Sequence, residues 1–90
     1  MPQLFKIGSY TIYFWTNEGN EPVHVHVARG HPIGNATKIW LTSDGKCKVA
    51  NNKSKIPQYL LNDIMDLIES QWNDIIKMWE KTFGEVKFYC

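Results

Sequence analysis

His24 and His26 stand two residues apart in the run Val23-His24-Val25-His26-Val27, whose alternation is that of a β-strand. On a strand both imidazoles leave the same face, with Cα atoms about 6.6 Å apart. Three roles suit that spacing. The pair can act as acid and base across a scissile phosphate, since imidazole titrates near neutrality. It can chelate a transition metal, with His31, Glu18 or Glu21 as further ligands from flanking loops. It can also be structural, solvent-facing or packed beside Tyr13 or Trp15. Two ligands do not make a metal centre, so spacing alone leaves all three open, and no cofactor is expected.

A second constellation is basic and aromatic. Arg29, Lys38, Lys46, Lys48, Lys53 and Lys55 face only Asp44 between residues 29 and 55, a local charge of +5 in a chain of net +1. Lys38 beside Trp40, with Lys46 and Lys48 on the following strand, suits a surface that stacks single-stranded RNA and holds its backbone, with Arg29 adding charge. The same residues suit docking of an acidic partner protein. The blander alternative makes Trp40 a core residue and the lysines guards of a sheet edge. Asp63, Asp66 and Glu69 read as a solvated helix flank, and there is no Gly-rich phosphate loop, HExxH or nucleophile elbow.

The elements that position these residues are legible in the pattern. Residues 4–7 and 10–16 read as strands joined at Gly8-Ser9, a turn whose first central residue needs positive φ. Tyr10, Ile12 and Phe14 point one way, and Thr11, Tyr13 and Trp15 the other. Asn17 to Pro22 is a loop by turn chemistry. Strand 23–29 puts Val23, Val25 and Val27 on one face and the histidines on the other. Residues 36–42 and 46–50 form a further hairpin around Asp44-Gly45. From Ile56 the period becomes helical: Leu60, Ile64, Leu67 and Ile68 form one stripe, and Trp72, Ile75, Ile76, Trp79 and Phe83 another. Pro57 suits a first turn, Ser70 is a candidate cap for a second helix, and Gly84 is a stop. The pattern leaves open whether residues 56–83 form one bent helix or two.

The fold expected is therefore α+β, an antiparallel four- to five-stranded meander followed by two C-terminal helices packed on one face. Burying one valine contributes about 1.5–3 kcal/mol, so the valine face must be the one the helices cover. Residues 1–84 form a single compact domain, and 85–90 a tail. With 90 residues, the chain buries only about 60–65% of its unfolded surface, too little to spare for a large ligand cavity. Two cysteines, Cys47 and Cys90, without a CxxC pair, point to free thiols in a reducing cytosol. A Cys47–Cys90 disulfide, or a Cys90 link between two chains of a homodimer, is the minority alternative. No signal peptide and no apolar run of about 20 residues is visible, so a cytoplasmic protein without membrane contact is expected.

Several of these segments carry a family resemblance. Phe5-Lys6-Ile7-Gly8, the aromatic strand to Trp15, and above all Asn17-Glu18-Gly19-Asn20-Glu21-Pro22-Val23-His24-Val25-His26-Val27 resemble the signature of domain-of-unknown-function family 4160. Lys38-Ile39-Trp40-Leu41, Trp79 and Phe83-Gly84 are similar to its later part. The resemblance spans roughly residues 1–84. One departure is Val23, where the family often has a second proline before the first histidine. The resemblance implies a small bacterial or phage-borne protein, encoded beside another small protein, in an arrangement suspected of toxin–antitoxin modules. It supplies a context and no mechanism. Combined with the residues, it favours a toxin-like protein acting on RNA through His24 and His26, with a small cognate protein as partner. The alternatives are a non-enzymatic module for an acidic partner and a metal-binding domain at His24, His26 and His31.

Overall fold

The computed structural model describes residues 3–30 and 36–90. Five strands, β1 (Gln3–Ile7), β2 (Tyr10–Tyr13), β3 (His24–Arg29), β4 (Thr37–Leu41) and β5 (Cys47–Asn51), precede two helices, α1 (Gln58–Ser70) and α2 (Trp72–Phe83). The strands pair antiparallel in sequence order, and the helices pack on one face of the resulting sheet. This is the expected α+β meander with two C-terminal helices.

The β1–β2 turn is the two-residue connection expected, with Gly8 at φ 56° between the paired Ile7 and Tyr10. β2 ends at Tyr13 rather than continuing to residue 16. Phe14 is still buried in the helix-side core, but Trp15 donates its N–H to the Glu18 side chain instead of to a neighbouring strand. In β3 the expected alternation holds. Val23, Val25 and Val27 join Ile12, Phe14, Ile39 and Leu41 in one cluster with Ile56, Leu61, Ile64, Ile68, Ile75 and Trp79 of the helical segment. These side chains are the β-branched and aliphatic types that fit a half-covered pleated surface.

The helical segment is two helices, separated at Gln71, whose φ of −109° and ψ of 15° leave the helical region. Ser70 does not cap the second one. Its hydroxyl donates to the Leu67 carbonyl, closing the last turn of α1, a local bond that serine makes readily. Gly84 ends α2 in the left-handed conformation, φ 83°, where a residue with a Cβ would be strained. Beyond it, the segment from Glu85 to Cys90 lies along the sheet end. The Lys87 carbonyl accepts from Val23 N–H at 2.8 Å, and the Cys90 carbonyl from Ser43 N–H at 2.9 Å. Cys47 and Cys90 are both free thiols. Among the described residues no helix is long and apolar enough to cross a membrane.

Candidate functional site

The face of β3 opposite the valines carries the histidines. Register fixes their neighbours: His26 sits between Tyr13 of β2 and Lys38 of β4, and His24 lies opposite Trp40, which in turn pairs with Lys48 of β5. The loop from Phe14 to Pro22 folds over the start of this strand and brings in Glu18. The loop can lie this close to α2 because residue 19 is glycine. A Cβ there would stand 2.7 Å from Cδ1 of Phe83.

Glu18 is the hub. His26 Nε2 lies 2.9 Å from Oε2, and His24 Nε2 lies 3.1 Å from Oε1. The Trp15 N–H adds a 3.0 Å bond to Oε1. The His24 side chain is fully buried, while those of His26 and Glu18 keep 13% and 14% of their surface. Around His24 the rings of His26, Trp40 and Trp79 stand edge-on with centroids 5.0, 5.5 and 5.3 Å away. The histidine face was expected to look away from the helices. Trp79 of α2, a member of the helix-side core, nonetheless meets the His24 ring.

The ring orientation of His24 is fixed. Its Nδ1 lies 2.8 Å from the Pro22 carbonyl, which can only accept, so Nδ1 carries the proton. In the neutral ring Nε2 is then a bare lone pair. It is the buried side-chain nitrogen that finds no hydrogen bond among the described residues, despite the nearby carboxylate. His26 differs, since its Nε2–H donates to Glu18. Burial raises the Glu18 carboxyl, but the bonds from His26 and Trp15 and the field of the two imidazoles outweigh it, holding it below its ordinary value. Burial also pushes the His26 imidazole below its ordinary value, against the pull of Glu18. Near neutral pH the pair is therefore a carboxylate facing a neutral imidazole.

The basic and aromatic residues divide. Lys38 Nζ stands 4.3 Å from the Trp40 ring centroid and pairs with Glu21 at 2.6 Å. Trp40 stacks in parallel with Tyr89, centroids 5.0 Å apart and planes within 2°. Lys48 Nζ lies 5.8 Å from the Tyr89 ring. These four side chains make one continuous surface next to His24. Lys46 lies just before β5, in the hairpin connection, and Arg29 is on the opposite face, alternating with Ala28 at the far end of β3. There it lines an open cleft with Tyr10, Pro57, Tyr59 and Leu60. His31 lies outside the described residues.

Spacing placed the two histidines on one face and offered Glu18 as one of three possible loop partners; which of the three meets them depends on a loop's path, which is invisible to periodicity. Trp79 was read as a core residue of the second helical stripe and not as a neighbour of His24, and the Pro22 carbonyl and Tyr89 left no signal.

The family model described as "Domain of unknown function (DUF4160)" matches residues 9–80, four-fifths of the chain. The protein therefore belongs to that family, and the matched span contains all the strands from β2 onward, α1 and most of α2. Searches of the curated proteins and of the solved structures return no match.

Proposed function

We propose that the protein recognises single-stranded RNA on the sheet face bearing Trp40, as the toxin-like member of a two-gene module in the cytoplasm. The observation that supports this reading is the array Lys38–Trp40–Tyr89–Lys48, a stacked aromatic pair flanked by a lysine at each end, with Tyr89 and Lys48 exposed and Lys38 and Trp40 half-buried. Flat rings accept any nucleobase, at about 1–3 kcal/mol per stacked base, while lysines follow the backbone. Lys38 spends part of its charge on Glu21, so Lys48 carries more of the phosphate attraction. His26 is the imidazole of the pair with access to this side. His24 is enclosed, which argues against two imidazoles straddling one phosphate and for His24 acting through Glu18.

The test is bacterial growth on induced expression of the wild type, Trp40→Ala and His26→Ala, with soluble protein matched. Arrest by the wild type that either substitution relieves is the expected result. No arrest, or arrest that both substitutions leave untouched, would replace the RNA reading by that of a module for an acidic partner protein.

A further inference from the structure

From the same histidine face, and independently of the RNA reading, we infer a second property: Glu18, His24 and His26 form a mononuclear site for a divalent transition metal, zinc in the first place. Four observations carry it. One ligand atom from each residue lies within 4.8 Å of the other two. His24 Nε2 is buried and unpartnered, and it faces the carboxylate at 3.1 Å. With Nδ1–H donating to Pro22, the neutral ring presents Nε2 as an acceptor toward the acceptor oxygen of Glu18, a gap in bonding that a cation fills. The Nδ1–H bond to Pro22 is the outer contact that metal-binding histidines ordinarily make, fixing the ring so that Nε2 points at the ion. The donor set, finally, is one that zinc uses.

The spacing is close to what a tetrahedral ion sets, and side-chain shifts complete it. Tetrahedral zinc with bonds of about 2.0–2.1 Å sets its ligand atoms about 3.3 Å apart. Both imidazole nitrogens lie 3.1 Å from the same Glu18 oxygen, Oε1, and need to open by only a few tenths of an ångström, while the two nitrogens, within 4.8 Å of each other, close toward that same separation. His26 must move its Nε2 proton to Nδ1, and Glu18 then exchanges that hydrogen bond for the ion. Trp15 N–H continues to hold Glu18. Three protein ligands leave a fourth position, on the side where His26 and Glu18 retain solvent contact. Two histidines and one glutamate with an open fourth position is the pattern of zinc sites that bind water or substrate, whereas structural sites are closed.

Among the described residues, alternative sites offer less. Cys47 is the nearest rival in chemistry, but its sulfur sits 3.5 Å from Glu69 and 3.7 Å from the Met65 carbonyl. Burial first, then the charge of Glu69, pushes that thiol up to about 12, far from the thiolate a metal requires.

The experiment is titration of chelator-treated full-length protein with zinc by calorimetry, and with cobalt as a spectroscopic probe of tetrahedral coordination. The variants are Glu18→Gln and His26→Gln, which keep size and hydrogen-bonding capacity, with near-ultraviolet circular dichroism to confirm the fold. His24→Ala is avoided because it would open a hole in the core. One zinc per chain, weakened at least about a hundredfold in each variant, is the expected result. The inference is overturned if the wild type takes up no zinc. It is equally overturned if both folded variants bind as tightly as the wild type, since the ion would then be held elsewhere.

Discussion

The two faces of β3 differ more sharply than any two elements of the molecule. One carries Val23, Val25 and Val27 into an apolar cluster closed by both helices. The other carries His24 and His26 to a carboxylate, two tryptophans and a surface of lysines and aromatic rings. The first face needs only shape and apolar area, which are forgiving. The second needs atoms at fixed distances, and the loop over it is held by a contact that a side chain at residue 19 would crowd. One strand thus divides stability from site chemistry, and substitutions should separate along the same line.

The largest effect is expected on the valine side. Ile39, opposite Val25 and fully buried, loses about 2–5 kcal/mol of stability on change to alanine. Urea unfolding would measure this, and zinc affinity of the folded fraction should not move. An equal loss of zinc affinity would break the division between the faces.

Gly19→Ala comes next. The added methyl meets Phe83, whose ring is wedged beside Phe14 and Trp79 with centroids 5.7 and 4.4 Å away. Overpacking of this kind costs about 1–3 kcal/mol. Because the same loop carries Glu18, this substitution should affect both faces, lowering the melting temperature and loosening the Glu18 carboxylate from the histidines. A melting temperature equal to wild type would mean that Phe83 simply turns aside.

These two cases show what was legible in the sequence. Ile39 and the valines announce themselves through period-two alternation, and the helical stripes through theirs, so the fold followed from pattern. The Gly19–Phe83 approach joins residues 64 positions apart and depends on how a turn meets a helix end, which no period encodes. His24 and His26 were legible as a pair, and Lys38, Trp40 and Lys48 as neighbours on paired strands. Arg29 was grouped with them by charge alone, yet strand parity sends it to the other face. Tyr89 joined the histidine side because the chain after Gly84 runs back along the sheet end, and Trp79 meets His24 from the helix-side core.

A smaller effect is expected at high pH. The Cys47 thiol, raised to about 12 by burial and Glu69, ionises near its ordinary value once the chain unfolds. Between roughly pH 9 and 12 the unfolded state therefore binds fewer protons than the folded one, and stability falls as pH rises. Cys47→Ala should flatten that alkaline decline in chemical denaturation. At neutral pH an alkylating reagent should modify exposed Cys90 well before Cys47.

Smallest is Lys38→Ala. It removes a partly exposed ion pair with Glu21, and such pairs contribute about 0–1 kcal/mol. Stability should barely change, whereas RNA affinity should fall and depend less steeply on salt, because one phosphate contact is gone.

The proposal that the lysine–tryptophan surface recognises RNA is tested most directly by titrating a single-stranded RNA oligonucleotide into wild type and Trp40→Ala. Fluorescence anisotropy of the labelled RNA, at low and moderate salt, reads the affinity. Binding by the wild type that weakens with salt and drops about tenfold or more in Trp40→Ala is the predicted result. Absence of binding, or binding indifferent to Trp40, would contradict it.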